Sequence, residues 1–213
     1  QWAMIFNESV ENDSKPVNKT ENFMFDGERL IQHIIKQRYF EEEISNEVNL
    51  SYSDNQVTVT TDYLTLVYTL NSEGYASQCV YSLSSQNRIY QFSYSAEGYL
   101  TGIVENIDDT EYSSTSLTYE NGDITSISSK MNGLENKFIY EPGEESSTYH
   151  LPCLGLLEIH PLTFHIEALY AGLLGKDPRH FTIRSCPAGS NDEKTVYSYG
   201  FDKKGNPSRM ICQ

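Results

Sequence analysis

A 24-residue glycine register restricts how this chain can fold more than any other feature of its sequence. Gly74, Gly98 and Gly122 each follow an acidic or amide residue, and each is 24 residues from the next. Aromatic-rich alternating runs precede these glycines (VYTLNSEG, FSYSAEG and LTYENG), and a second run follows each one. Gly, Asn and Asp readily adopt the positive φ of hairpin turns, and alternation sends successive side chains to opposite faces of a strand. The register therefore predicts a series of β-hairpins.

Further copies extend this pattern toward both ends of the chain. FMFDGERLIQHI surrounds Gly27, YSYGFDKKGNPSRMI surrounds Gly205, and SYSDNQVTVT is a glycine-free copy with Asp54-Asn55 in its turn. A hairpin is barely stable alone, so successive hairpins must pair edge to edge. We expect an all-β fold: a strongly curved antiparallel meander or near-barrel of about ten to thirteen strands.

The predicted domain organisation is simple. Residues 1–20 are expected to form a flexible N-terminal tail, followed by a single β-repeat domain at 21–213. An insert at 144–193 interrupts the repeats, because the alternation stops there.

One helix is predicted within the insert. Leu162, Ile166, Leu169 and Leu173 recur at helical spacing, which favours a largely buried helix at about 161–174. The helix is expected to cover the concave side of the sheet. Residues typical of helix ends stand at both limits of this segment: Pro161, Gly175 and Pro178.

The charge balance excludes some partners. Fifteen basic residues against thirty acidic ones give a net charge of −15. Such a field repels phosphate backbones and anionic membrane surfaces, so no nucleic-acid partner is expected. The sequence contains no G-x-S-x-G elbow, phosphate-binding loop or dinucleotide fingerprint, so no catalytic residue can be assigned and no cofactor is expected.

Four histidines in the insert raise the question of a metal site. His160 and His165 are five residues apart with Pro161 between them, which differs from the i, i+4 pair of a zinc-binding HExxH helix. We therefore predict no metal site. Packed or surface histidines are the simpler interpretation.

Candidate ligand-binding residues come from the insert and from the strands that it is expected to cover. The hairpin turns are mostly acidic, which leaves the concave face near the insert as the expected site for a neutral ligand such as a glycan, or for a protein. Tyr170, His165 and Tyr94 are the candidates. Tyrosine ladders also stabilise sheets without any ligand, and that alternative remains open.

The four cysteines share no CxxC spacing, which disfavours a zinc or thioredoxin-like motif. Cys186 and Cys212 flank the last hairpin, so a disulfide between them would tie down the C-terminus. Cys79 and Cys153 would then be buried thiols or a second pair.

The repeat aromatic-x-Tyr-x-x-x-Gly-x-(Leu/Ile) resembles the Tyr-Asp repeat of Rhs-type proteins. Only Phe25-Asp26 and Phe201-Asp202 keep the aromatic-Asp pair, however. Over residues 20–213 the chain more closely resembles a family of Bacteroidetes secreted lipoproteins classed as a domain of unknown function with a porin-like fold. This resemblance implies export to the periplasm or cell surface as an outer-membrane lipoprotein. Membrane attachment would come only through a lipid on a Cys upstream of Gln1, and no activity is implied.

These observations together predict an exported cell-envelope protein that is a binding or structural module rather than an enzyme. Its ligand is unknown, with a small molecule, a glycan or a protein as the classes considered. A glycan-active hydrolase and a pore or transport-associated component are the alternatives.

Overall fold

A computed structural model describes residues 2–8, 17–39, 42–83, 86–146, 161–190, 194–201, 203 and 207–212. Fifteen strands pair in chain order, from β1 to β15, and every described pairing with a resolved register is antiparallel. The predicted all-β meander is confirmed. The strands are β1 (Trp2–Glu8), β2 (Val17–Asp26), β3 (Arg29–Tyr39), β4 (Glu42–Ser53), β5 (Gln56–Thr60), β6 (Thr65–Leu70), β7 (Ala76–Leu83), β8 (Gln86–Tyr94), β9 (Leu100–Ile107), β10 (Thr110–Glu120), β11 (Asp123–Met131), β12 (Leu134–Ser146), β13 (His180–Pro187), β14 (Thr195–Phe201) and β15 (Pro207–Cys212).

The chain divides into two compact units, an N-terminal unit at residues 1–67 and a C-terminal unit at 68–213. This differs from the predicted division into a tail at 1–20 and a single domain at 21–213. Residues 2–8 form β1 and Val17 begins β2, so the segment expected to be a tail contributes strand. β1 is a strand that the sequence did not predict, whereas β2 continues into the predicted hairpin around Gly27.

The N-terminal unit has a core that follows from the alternation of its strands. Leu30, Val57 and Val59 are almost wholly buried, as the period of two requires. His33 is also buried: its ring stacks on Phe23 at 4.3 Å between centroids, and its Nε2 lies 3.3 Å from the Glu21 carboxylate. A buried imidazole beside a buried carboxylate keeps both polar groups in contact with a partner.

The C-terminal unit contains the helical insert. A 3₁₀ turn at Leu162–Phe164 and helix α1 at Ile166–Tyr170 lie within the predicted span of 161–174, so the helical segment is confirmed. It is broken at His165 and ends early. The Leu173 N–H donates to Ala168 O and the Gly172 N–H donates to Leu169 O, which is a Schellman ending with Gly172 at φ +69°.

The glycine register produces two kinds of turn in this unit. Around Gly74 and Gly98 the loop has five residues, and the equivalent residues Asn71 and Ser95 close both loops: each donates its N–H to the carbonyl of the residue four further on. At Asn121-Gly122 the loop has two residues, both with positive φ, and Glu120 pairs directly with Asp123. These three copies therefore reverse the chain where the sequence predicts, and the predicted turn around Gly205 lies outside the described residues.

Candidate functional site

His165 lies at the centre of the C-terminal unit's core. Its side chain is fully buried, and its Nδ1 is 2.7 Å from the Tyr68 hydroxyl. The rings of Tyr90 and Phe92 meet the imidazole edge-on, with centroids at 4.4 Å and 5.2 Å. Burial raises the pKa of the Tyr68 hydroxyl well above its ordinary value, so Tyr68 stays neutral and able to donate. The cluster fixes the helical insert against strands β6 and β8.

The other two predicted ligand-binding residues are also packed against protein. Tyr170 is 8% exposed. Tyr94 donates its hydroxyl to Ala76 O at 2.7 Å and also lies 3.4 Å from Leu173 O. The structure thus places Tyr170, His165 and Tyr94 where they position the insert, and a ligand role for any of them stays a prediction.

A buried carboxylate that the sequence did not single out lies on β9. Glu105 has no exposed surface. Its Oε1 accepts hydrogen bonds from Arg88 at 3.1 Å and Tyr90 at 3.2 Å, and its Oε2 accepts one from Ser113 at 2.8 Å. These donors come from β8 and β10, so the group ties three strands together. The alternating pattern gave no signal for this carboxylate, because glutamate at a strand position usually faces solvent.

A further polar surface of the C-terminal unit includes the segment Leu173–His180, which we call the strap. It runs across the hairpin turns of the C-terminal unit. Leu173 O accepts a hydrogen bond from Ala76 N at 2.7 Å, Lys176 N donates to Gly98 O at 2.9 Å, and Arg179 N donates to Gly122 O at 3.0 Å. The strap therefore bonds to three successive copies of the repeat.

The geometry of the sheet explains this three-residue step. One copy contains two strands, and neighbouring strands lie about 4.8 Å apart, so equivalent turns are about 9.6 Å apart. Three extended residues reach about 10 Å. The distance between every third residue of the strap therefore matches the distance between equivalent turns of the 24-residue repeat.

Two of the turns carry the same pair of covering side chains. A β-carbon on Gly98 would lie 3.2 Å from the Tyr75 ring and 3.5 Å from Cε of Lys176. A β-carbon on Gly122 would lie 2.7 Å from the Tyr99 hydroxyl and 2.5 Å from Cδ of Arg179. Each glycine is thus covered by a tyrosine from the preceding turn and a cationic side chain from the strap. We call this surface, formed by the turns at 71–75, 95–99 and 120–123 with the strap, the turn rim.

The tyrosines of the repeat fall into two classes. Three tyrosines that precede a turn donate their hydroxyls to a carbonyl of the preceding strand: Tyr52 to Leu30, Tyr94 to Ala76 and Tyr199 to Thr182, at 2.7–2.8 Å. Those that follow the glycine, Tyr75 and Tyr99, are half-buried, and their hydroxyls have no hydrogen-bond partner among the residues that the structure describes. Of these two classes, the second keeps its hydroxyl groups available to a ligand.

Position 123 is the third equivalent of Tyr75 and Tyr99, and it carries an aspartate. Asp123 Oδ1 accepts a hydrogen bond from His180 N at 2.8 Å, and its Oδ2 lies 2.8 Å from His180 Nδ1. The carboxylate is almost buried, while the His180 side chain is 29% exposed. The pair therefore closes one end of the rim with an oriented imidazole.

The turn rim is electrostatically mixed rather than acidic. The Ser95 hydroxyl and the backbone N–H of Glu97 hold the pKa of the exposed Glu97 carboxyl below its usual value, and Lys176 acts in the same direction. Arg179 donates to Asn121 O at 3.3 Å. The sequence predicted mostly acidic turns and a ligand contacted near the insert rather than at the turns, whereas the strap brings the insert's cationic side chains onto those turns.

The predicted Cys186–Cys212 bridge meets an obstacle in the strand order. Cys186 carries a free thiol, and β14 lies between β13 and β15, on which the two cysteines stand. Strands two apart are separated by about 9.6 Å, beyond the roughly 7 Å that a disulfide can span between Cα atoms. The order argues against this bridge. Cys186 borders a cavity of about 290 Å³ with Phe138 and Lys194. Cys153 lies outside the described residues.

The comparisons with known proteins place the chain in a family. Residues 23–209 match the family described as a domain of unknown function (DUF4595) with porin-like fold. The chain belongs to this family. The crystal structure of a porin-like protein from Bacteroides uniformis is 26% identical, with a TM-score of 0.89 over 99% of this chain and 88% of that one. No curated protein matches the chain.

A more distant member of this fold agrees in architecture alone. A porin-like protein from Bacteroides vulgatus is 10% identical, with a TM-score of 0.63 over 98% of this chain and 90% of that one. In the chain described above, none of the helices among the described residues is long and apolar enough to cross a membrane.

Proposed function

We propose that this family member is a non-catalytic module of the bacterial cell envelope that binds glycans at its turn rim. The observation that carries the proposal is the pair of half-buried tyrosines, Tyr75 and Tyr99, whose hydroxyls have no partner among the described residues. A tyrosine ring offers an apolar face to a sugar ring, while its hydroxyl bonds to a sugar hydroxyl.

The groups around these tyrosines suit a polar, uncharged ligand. Lys176 and Arg179 supply donors, Glu97 supplies an acceptor, and the His180 ring is held in one orientation by Asp123. Sugar hydroxyls both donate and accept, so a surface with donors and acceptors side by side can satisfy them. Because the positive charges lie next to acidic or carbonyl groups, the rim offers little net attraction to an anion.

A glycan array with the purified chain tests this proposal. We expect binding to neutral glycans, weakened by Tyr75→Ala and by Tyr99→Ala. Tyr63→Ala is the matched control, because Tyr63 is 87% exposed and lies in the N-terminal unit. The proposal fails if no glycan binds, or if Tyr63→Ala weakens binding as much as the two rim variants.

The cellular location is part of the same proposal. Export and a lipid anchor on a cysteine upstream of Gln1 are inferred from the resemblance to secreted lipoproteins. Metabolic labelling of the full-length protein with a palmitate analogue, followed by membrane fractionation, tests both. Absence of label from a protein found in the periplasm would refute the anchor alone, and recovery of the protein in the cytoplasm would refute export.

A further inference from the structure

The turn rim carries the same arrangement twice, and the repeat sets the distance between the two copies. Tyr75 with Lys176 covers Gly98, and Tyr99 with Arg179 covers Gly122. Tyr75 and Tyr99 are 24 residues apart in sequence and two strands apart in the sheet. Lys176 and Arg179 are only three residues apart on the strap. Two distant segments of the chain thus produce the same pair at equivalent positions.

We infer that the turn rim binds a linear, neutral glycan that spans both copies, with one sugar on Tyr75 and another on Tyr99. This inference rests on the proposed function and adds the shape of the ligand. Equivalent tyrosines are about 9.6 Å apart across two strand spacings, so a short ligand contacts one tyrosine and only a longer chain contacts both.

The direction of the ligand follows from the strap. The strap crosses the ends of β7, β9 and β11 in turn, through its bonds to Ala76, Gly98 and Gly122. A glycan contacting both tyrosines lies alongside the strap and across the strands. At one end of that path the Asp123–His180 pair offers a partly exposed imidazole, which can bond to a hydroxyl of a further sugar.

The charges of the protein favour a neutral ligand over a polyanion. The chain carries a net charge of −15. On the rim, Lys176 lies close enough to Glu97 to help lower the pKa of its carboxyl, and His180 is paired with Asp123. A sulfated or uronic-acid polymer would gain little from a lysine that lies beside a carboxylate and would meet the repulsion of the whole molecule.

Length dependence is the readout that tests this inference. Isothermal titration of the full chain uses unbranched β-1,4-glucan, β-1,4-xylan, β-1,4-mannan and α-1,4-glucan oligosaccharides, from disaccharide to hexasaccharide. For the backbone that binds, we expect the hexasaccharide to bind at least about tenfold more tightly than the disaccharide, because two contacts are linked in one ligand. Tyr75→Ala and Tyr99→Ala should each remove this gain, while Tyr63→Ala should keep it.

The outcomes separate this inference from the proposed function. If a glycan binds but disaccharide and hexasaccharide bind equally, or if only one of the two tyrosines matters, the spanning mode is overturned and glycan binding stands. If heparin or polygalacturonate binds and the neutral series does not, the neutral class is overturned. If neither the series nor the array shows binding, the proposed function itself fails. Circular dichroism of each variant checks that it is folded, and Tyr99→Phe, which keeps the ring, should retain part of the length gain.

Discussion

At the scale of single residues, the repeat's tyrosines show how one residue type serves two purposes. A tyrosine before the turn bonds to a backbone carbonyl and stabilises the hairpin, whereas a tyrosine after the glycine keeps an available hydroxyl. Both positions are tyrosine in the sequence. What separates them is the hydroxyl's partner, which depends on strand pairing and could not be deduced from alternation alone.

Tyr94→Phe tests the structural class. The change removes the hydroxyl that Ala76 O accepts at 2.7 Å, so we expect the free energy of unfolding to fall by about 1 kcal/mol. Tyr81→Phe is the control, because the Tyr81 hydroxyl has no partner among the described residues. Urea denaturation measures both, and equal midpoints for the two variants would contradict the assignment.

The cysteines give a second residue-scale prediction. Burial raises the pKa of the Cys79 thiol to about 12, although its hydrogen bond with Tyr68 acts in the opposite direction. Only the thiolate reacts with alkylating agents, so Cys79 stays protonated and unreactive at pH 8. Cys186 is half-buried and free. We expect iodoacetamide at pH 8 to label Cys186 before Cys79 in the native protein, as read by peptide mass spectrometry.

The same experiment addresses the predicted bridge. Labelling the unreduced, denatured protein counts all free thiols. A labelled Cys186 would agree with the strand order, whereas a Cys186–Cys212 peptide released only by reductant would show that the bridge forms after all.

At the scale of elements, the strap is the part of the molecule that the sequence did not reveal. Helical spacing at Leu162, Ile166 and Leu169 correctly indicated a helical segment, because burial of one face imposes that period. Leu173 continues the period yet lies in the strap. Its backbone bonds to Ala76 and the left-handed Gly172 before it end the helix. Such long-range backbone bonds leave no periodic trace in the strap's own sequence.

Gly122→Ala tests the fit between strap and turn. Both Gly122 and Gly74 have a positive φ, at +88° and +84°, so alanine is strained at either position. Only at Gly122 would the new methyl group also meet neighbours, Arg179 and Tyr99. We expect Gly122→Ala to destabilise the protein by about 1 kcal/mol more than Gly74→Ala, because overpacking adds to the strain. If thermal denaturation shows the same loss of stability for both variants, the strap accommodates the methyl group at no cost in free energy.

At the scale of the whole molecule, the repeat predicted the architecture well because each of its signals is local. Gly98, or Asn121 with Gly122, reverses the chain within a few residues, and pairing of neighbours in sequence then requires no further information. The candidate site is different. It depends on residues 75 and 99 meeting residues 176 and 179, and this contact follows from the path of the insert rather than from any local pattern.

Buried tyrosines also make the stability of the protein sensitive to alkali. Burial raises the pKa of Tyr68, of Tyr90 and of Tyr94 above the ordinary value of about 10. A group with a raised pKa in the folded state contributes stability that is complete below its unfolded pKa and is lost as the pH rises toward the folded value. Above about pH 10 the unfolded chain binds fewer protons, so these three tyrosines together lower the free energy of unfolding by up to about 4 kcal/mol per pH unit.

Thermal denaturation from pH 8 to pH 11.5 measures this dependence, and we expect the midpoint to fall steeply only above about pH 10. Each tyrosinate that forms adds to a net charge that is already −15, so self-repulsion acts in the same direction. Added sodium chloride screens that repulsion but leaves the cost of burying a tyrosinate almost unchanged. Salt should therefore raise the midpoint at pH 8 and leave the alkaline decline in place. A decline abolished by salt would assign it to surface charge rather than to the buried tyrosines.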